Sequence, residues 1–79
     1  MKTLYKTSDI VLASCLKLYN YELEEILVDS RGRGTFVYIN VDDDFLQKFD
    51  LGKVLVEPVA FNNTIKQLTT SVRRLNNNM

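Results

Sequence analysis

The sequence predicts one small α+β domain with the order helix, strand, strand, short helix and long C-terminal helix (α-β-β-α-α). Three observations indicate this class. Residues 8–19 and 58–75 place apolar side chains at helical spacing. Residues 35–41 are β-branched or aromatic at six of seven positions, which is typical of a strand. The chain has 79 residues, the size of a single compact unit, so we expect one domain over 1–79.

The first helix is predicted over residues 8–19. Thr7 or Ser8 is the expected N-cap, with Asp9 in the first turn, where a carboxylate meets the positive end of the helix dipole. Asn20 can adopt the left-handed conformation that ends a helix. The predicted buried face consists of Val11, Leu12, Cys15, Leu16, Leu18 and Tyr19.

An antiparallel β-hairpin is predicted next. Residues 21–29 would also continue a helical stripe, but a turn with two glycines follows them and favours a strand. The second strand, residues 35–41, is apolar on both faces, with Phe36 and Tyr38 on one side and Val37 and Ile39 on the other. In a sheet with one solvated face, apolar and polar residues alternate more regularly along each strand. We therefore expect either that helices cover both faces of this sheet or that a second copy of the chain covers one of them.

The C-terminal half is predicted to be mostly helical. The triplet Asp42-Asp43-Asp44 is expected to cap a short helix that ends at Gly52, because the spacing of an EF-hand calcium loop is absent. Residues 54–56 are a candidate third strand. Pro58 suits the first position of the last helix, residues 58–75, and residues 76–79 are expected to fray. A heptad-like seam on this helix consists of Phe61, Ile65, Leu68, Val72 and Leu75.

The composition excludes several classes of protein. Without histidine, the usual Ser-His-Asp and Cys-His catalytic arrangements cannot form, so we expect no enzyme. The lone Cys15 allows no internal disulfide and no zinc or iron–sulfur site, and we expect neither a metal nor a cofactor. No apolar run approaches the length of a membrane span or of a signal peptide, which favours a cytoplasmic protein.

Three basic clusters are candidate anion sites, and each also has a purely structural interpretation. The segment Arg31-Gly32-Arg33-Gly34 offers arginines and glycine-linked amides, or it is a plain hairpin turn. The start of the first helix, near Lys6, offers free amide groups, or it is simply capped. The last helix carries a third cluster, which is otherwise a solvated face. Its members are Lys66, Arg73 and Arg74.

The aromatic residues that could stack on a ligand are Tyr5, Tyr21 and Tyr38. Tyrosines are more often found in the core with the hydroxyl group at the surface.

Short motifs run along most of the chain. In order they are Tyr5-x-Thr7-x-Asp9-x-x-Leu12-Ala13, Tyr21-x-Leu23, Gly34-x-Phe36-x-Tyr38, Gly52-x-x-Leu55-Val56-x-Pro58 and Ile65-Lys66-x-Leu68. Together they resemble a small bacterial and phage family, a domain of unknown function with a Y-x-T-x-D-x-x-L-A opening. The resemblance implies no activity for particular residues. It implies a compact accessory protein, often one of mobile elements.

These observations lead to one functional hypothesis and two alternatives. A short chain without disulfide or metal gains burial by oligomerising, and the residues expected at that interface are Phe61, Ile65, Leu68, Val72, Val37 and Ile39. We therefore expect a homo-oligomer that sequesters a phosphorylated small ligand, such as a signalling nucleotide, at subunit junctions. The residues expected to bind it are Lys6, Arg31, Gly32, Arg33, Arg73, Tyr5 and Tyr38. The alternatives are a nucleic-acid-binding regulator that uses the last helix, and a scaffold that binds only protein.

Overall fold

The computed structural model describes residues 1–77 and confirms the α+β class. Its elements are β1 (Leu4–Thr7), α1 (Ile10–Leu18), β2 (Leu23–Val28), β3 (Gly34–Ile39), α2 (Asp43–Asp50) and α3 (Pro58–Asn77). The predicted order of helices and hairpin strands is correct, but a strand, β1, precedes the first helix. The last helix extends two residues past its predicted end. Residues 78–79 of the tail that was expected to fray lie outside the described residues.

The sheet has three antiparallel strands in the order β1-β3-β2. Its third strand is therefore β1, and the prediction of a strand at residues 54–56 is wrong, since that segment has no regular secondary structure. The four residues of β1 give almost no local signal. They are held by pairing with β3, in which Leu4 lies opposite Ile39 and Thr7 opposite Phe36. Pairing between segments that are distant in the sequence leaves no local pattern from which the strand could be predicted.

The core lies on one face of this sheet. Phe36 and Tyr38 of β3 are almost fully buried there, against apolar side chains from all three helices. On the opposite face Val37 is also fully buried, although it does not belong to that core cluster. The strand register places Val37 directly between Lys6 of β1 and Glu25 of β2. Long neighbouring side chains therefore border Val37 on both sides, an arrangement that neither sequence-based explanation anticipated.

The ends of α1 are set by polar side chains. The N-cap is Asp9, whose Oδ1 accepts hydrogen bonds from the backbone amides of Val11 and Leu12, so the prediction of Thr7 or Ser8 is wrong. Asn20 has a φ of 67°, as predicted for the residue that ends this helix. Within α1 the buried residues are consecutive, Leu12 through Leu16, so burial extends around the whole helix. Ser14, expected on the solvent side, is buried with them.

The helix α3 crosses the hairpin at very short range. A Cβ atom on Gly34 would lie 2.5 Å from Cγ2 of Val72, so the start of β3 needs glycine for close approach. Leu68 is buried in the core, and Phe61 and Val72 pack against it. This part of the seam is therefore covered within the chain, by α1 as well as by the sheet, whereas Ile65 is partly exposed and Leu75 is exposed. No helix within residues 1–77 has the length and apolar character needed to cross a membrane.

Candidate functional site

An open cleft of about 380 Å³ lies where the β2–β3 turn, the start of α1 and the last turns of α3 meet. We call it the arginine cleft. Its lining residues are Ser8, Ile10, Gly32, Arg33, Gly34, Phe36, Thr69, Val72, Arg73 and Asn76. The volume falls within the range of small-ligand sites in proteins. The close contact between Gly34 and Val72 holds the turn and α3 together at this place.

All the charged residues that line the arginine cleft are basic. Arg33 from the turn and Arg73 from α3 line it, and none of its lining residues is acidic. Both arginines are exposed, and among residues 1–77 neither forms a salt bridge. Two guanidinium groups around one cleft favour an anion, and each can donate two parallel hydrogen bonds to a phosphate or carboxylate.

The remaining lining residues are apolar or neutral. The apolar part comes from Ile10, Phe36 and Val72, and the neutral polar part comes from hydroxyl groups and the Asn76 amide. The Ser8 hydroxyl lies 3.2 Å from the hydroxyl of Thr35 and forms a hydrogen bond with it. A ligand with an anionic end and an uncharged body fits this combination of residues.

The backbone of the β2–β3 turn is not free to bind an anion. The carboxylate of Asp29 accepts hydrogen bonds from the amides of Arg31 and Arg33, both at 2.9 Å, and the Gly32 amide donates to the Asp29 carbonyl. These amide hydrogen bonds lower the pKa of Asp29. The expected role of glycine-linked amides is therefore wrong, and Gly32, with a φ of 80°, serves the turn geometry. Only the Arg33 side chain brings charge from the turn to the cleft.

The start of α1 is also occupied by its own cap. Because Asp9 already accepts from two of the free amides, an external anion would meet a carboxylate at that helix end. Lys6 lies on the opposite face of the sheet, beside Val37, and does not line the arginine cleft. Within one chain Lys6 is therefore not brought together with Arg33 and Arg73, and its expected binding role stays a prediction. Of this segment, only Ser8 reaches the cleft.

The basic residues of α3 divide between two surfaces. Arg73 lines the arginine cleft and also a shallow neighbouring depression of about 420 Å³, which Lys66 and Ile65 border. Thr69 lines both, so the two depressions are continuous along α3.

Two of the predicted basic residues lie outside the cleft. Arg74 of α3 lines neither depression. Arg31 is exposed at the turn and does not line the cleft either, so its expected binding role stays a prediction.

The tyrosines expected to stack on a ligand do not line the cleft. Tyr38 is fully buried, and its hydroxyl donates a 2.7 Å hydrogen bond to the carbonyl of Ala13. Burial raises the pKa of Tyr38 to about 12. Tyr5 pairs with Tyr38 across the sheet and packs against the edge of the core. The ring of Tyr38 is therefore not accessible for stacking, whereas Tyr5 is partly exposed and its expected stacking role stays a prediction.

The residues expected at an oligomer interface are also largely used within the chain. Leu68 is buried in the core, and Phe61 and Val72 are partly buried against it, whereas Ile65 is partly exposed beside Lys66. Val37 has no exposed surface, and Ile39 is partly covered on the same face of the sheet. Thr69 and Asn76 were missed as cleft residues. Their helical spacing from Arg73, four residues before and three after, would have placed them on its face.

A scan against protein-family models and searches of curated proteins and of solved structures found no match. The family resemblance of the short motifs therefore remains a prediction, and the functional conclusion rests on the arginine cleft itself.

Proposed function

We propose that this chain is a non-enzymatic homo-oligomer in which each subunit sequesters a phosphorylated small ligand, such as a signalling nucleotide, in the arginine cleft. The observation that carries the proposal is the meeting of Arg33 and Arg73 in a cleft that no acidic residue lines. Because one chain supplies both arginines, the proposed ligand site lies within a subunit and not at a subunit junction.

Binding is favoured over catalysis by the chemistry of the lining residues. At neutral pH a general base needs a group such as histidine or a carboxylate, and the cleft offers arginines, hydroxyls and an amide. The Ser8 hydroxyl pairs with the hydroxyl of Thr35, not with a base that could activate it. Cys15 is buried within α1, and desolvation raises the pKa of its thiol, which disfavours the reactive thiolate.

A compact ligand with one or two phosphates fits the distribution of charge. Arg33 and Arg73 flank the cleft itself, whereas Lys66 lies farther along α3 at the adjoining depression. A phosphate between the arginines leaves the apolar surface of Ile10 and Val72 for the uncharged part of the molecule. A longer phosphate chain would extend towards Lys66.

Calorimetric titration with nucleoside mono-, di- and triphosphates and cyclic dinucleotides tests the proposal. Arg33→Gln and Arg73→Gln should each weaken binding by about 10- to 100-fold, because each removes a charged hydrogen-bond donor to phosphate. Arg31→Gln and Arg74→Gln are matched controls, since both arginines are exposed outside the cleft, and they should change affinity less than about threefold. Equal losses from all four variants, or no binding across the panel, would contradict the proposal.

Salt dependence separates this proposal from binding to nucleic acid. The affinity of a protein that binds duplex DNA falls steeply with salt. The logarithm of the binding constant falls with the logarithm of the salt concentration, with a slope of about −0.9 for each phosphate neutralised. A ligand held by two arginines should show a shallow dependence, equivalent to about two charge contacts. Native mass spectrometry of the protein purified from cells then gives the number of subunits and the mass of any retained ligand. A bare monomer without ligand would contradict both parts of the proposal.

A further inference from the structure

The most exposed large apolar side chains after the N-terminal methionine lie close together in the sequence. They are Leu51, Leu55 and Val59, with exposed fractions of 60%, 80% and 65%. All three lie at or beside the segment of residues 53–57 that connects α2 to α3, which we call the connecting strap. Exposed apolar residues concentrated in this way indicate a contact with another molecule.

The connecting strap has the burial pattern of a strand without a partner. Val54 and Val56 pack against the core, whereas Lys53, Leu55 and Glu57 are exposed, so burial alternates with a period of two. In the described part of the chain, the backbone groups of Val54 and Val56 have no hydrogen-bond partner. An unpaired segment of this kind is a template for a strand from another chain.

The exposed side of the strap is complementary to itself. If two copies align antiparallel about Leu55, each Lys53 faces the other copy's Glu57, and the two Leu55 side chains face one another. Neither Lys53 nor Glu57 forms a salt bridge within residues 1–77, and the Glu57 carboxylate, which accepts a hydrogen bond from the Ala60 amide through Oε2, keeps its second oxygen for Lys53. Leu51, at the end of α2, and Val59, in the first turn of α3, add exposed apolar side chains on either side of the strap. We infer that two copies of this chain pair through their connecting straps across a twofold axis at Leu55.

A hydrogen bond inside the subunit agrees with this register. The Tyr19 hydroxyl donates to the Leu55 carbonyl, so this carbonyl is directed towards α1. In a strand the groups of the adjacent residues are directed the opposite way. Val54 and Val56 therefore form the hydrogen-bonded pairs with the second copy, and Leu55 forms the closer non-hydrogen-bonded pair with its counterpart.

The edges of the sheet are poorer candidates for self-pairing. On β2, residues 22–29 contain Glu22, Glu24, Glu25 and Asp29 and no basic residue, so self-pairing would bring acidic groups together. At β1, antiparallel pairing about Leu4 would place Lys2 opposite the second copy's Lys6. Like charges that face each other across a strand pair are destabilising. Of these three segments, only the strap combines opposite charges with exposed apolar surface.

Charge substitutions at Leu55 test the pairing without disturbing the core, because this side chain is largely exposed. We expect the unsubstituted chain to be a dimer in sedimentation equilibrium. Leu55→Glu and Leu55→Lys should each be monomeric, because identical charges then meet on the twofold axis. An equimolar mixture of the two variants should restore a dimer that contains one chain of each. Leu4→Glu, at a side chain 53% exposed on β1, is the matched control and should remain dimeric.

The inference rests on the homo-oligomer in the proposed function, and the same samples separate the two. If the unsubstituted chain is an oligomer that Leu55→Glu and Leu55→Lys leave intact, the strap interface is wrong and the oligomer stands. If the unsubstituted chain is a monomer, both the strap interface and the oligomer are overturned. Ligand titration of the Leu55→Glu monomer is a separate readout, because Thr69 of the cleft is roughly 16 Å along α3 from the strap. Affinity should change less than about threefold.

Discussion

The contact between Gly34 and Val72 allows a quantitative test of how the arginine cleft is built. Gly34 does not have a positive φ, so its backbone accepts alanine, and that change alone stabilises a protein by about 0.4–1 kcal/mol through the unfolded chain. However, the new Cβ would lie 2.5 Å from Cγ2 and 3.1 Å from Cγ1 of Val72. Overpacking of this kind costs about 1–3 kcal/mol. Gly34→Ala should therefore lower the free energy of unfolding by about 1–2 kcal/mol.

A double-mutant cycle isolates the clash from the other effects of the substitution. Val72→Ala removes both methyl groups that the new Cβ would meet, and we expect a loss of about 1–2 kcal/mol on its own. In that background Gly34→Ala should become neutral or stabilising, so the coupling energy should be about 1–3 kcal/mol. Urea denaturation followed by circular dichroism, at one protein concentration, measures all four variants. If the two losses simply add, the close approach of α3 to the hairpin does not exist as described.

Three further expectations follow from the same structure. Asp9→Ala should lower the free energy of unfolding, measured by urea denaturation, by about 0.5–2 kcal/mol, because two α1 amides lose their acceptor. Asp9→Asn should lower it less. Equal losses for the two variants would contradict capping by this side chain. Tyr38→Phe should cost about 1–3 kcal/mol because the buried carbonyl of Ala13 loses its donor, and an unchanged denaturation midpoint would contradict this. The pKa of Asp29 is lowered in the folded chain, so its contribution to stability is present above its unfolded pKa and disappears as the pH falls through the folded value. Denaturation midpoints of Asp29→Asn should therefore depend less on pH below about 4 than those of the unsubstituted chain.

The elements that the sequence predicts correctly are those fixed by local chemistry. Asn20 and Gly52 adopt the positive φ that ends α1 and α2, and Pro58 occupies the first position of α3. In each case one residue and its neighbours determine the geometry. The strand β1 and the burial of Ser14 depend instead on what lies beside them in space. A helical wheel assumes one buried face, whereas α1 packs against α3 as well as the sheet.

The same distinction explains how much of the candidate site was predictable. Arg33 and Arg73 were both recognisable as basic residues, but forty positions separate them and no local pattern joins them. They meet because Gly34 lets α3 approach the hairpin at Val72. The Asp29 carboxylate could have been anticipated, since aspartate often binds amides two residues ahead in a turn. That signal would have removed the turn amides from the list of anion ligands.

The surfaces that led to the oligomer hypothesis differ from those that the folded chain leaves exposed. From the sequence, the two-sided apolar strand and the seam of α3 were the surfaces that needed cover. In the folded chain Leu68 of the seam lies in the core with Phe61 and Val72 packed against it, and Val37 is buried between Lys6 and Glu25 without a second copy. After Met1, the most exposed apolar side chains are Leu51, Leu55 and Val59, at or beside the connecting strap. A chain of this length gains little stability from its own core, so burial of that surface is where a second copy would contribute most.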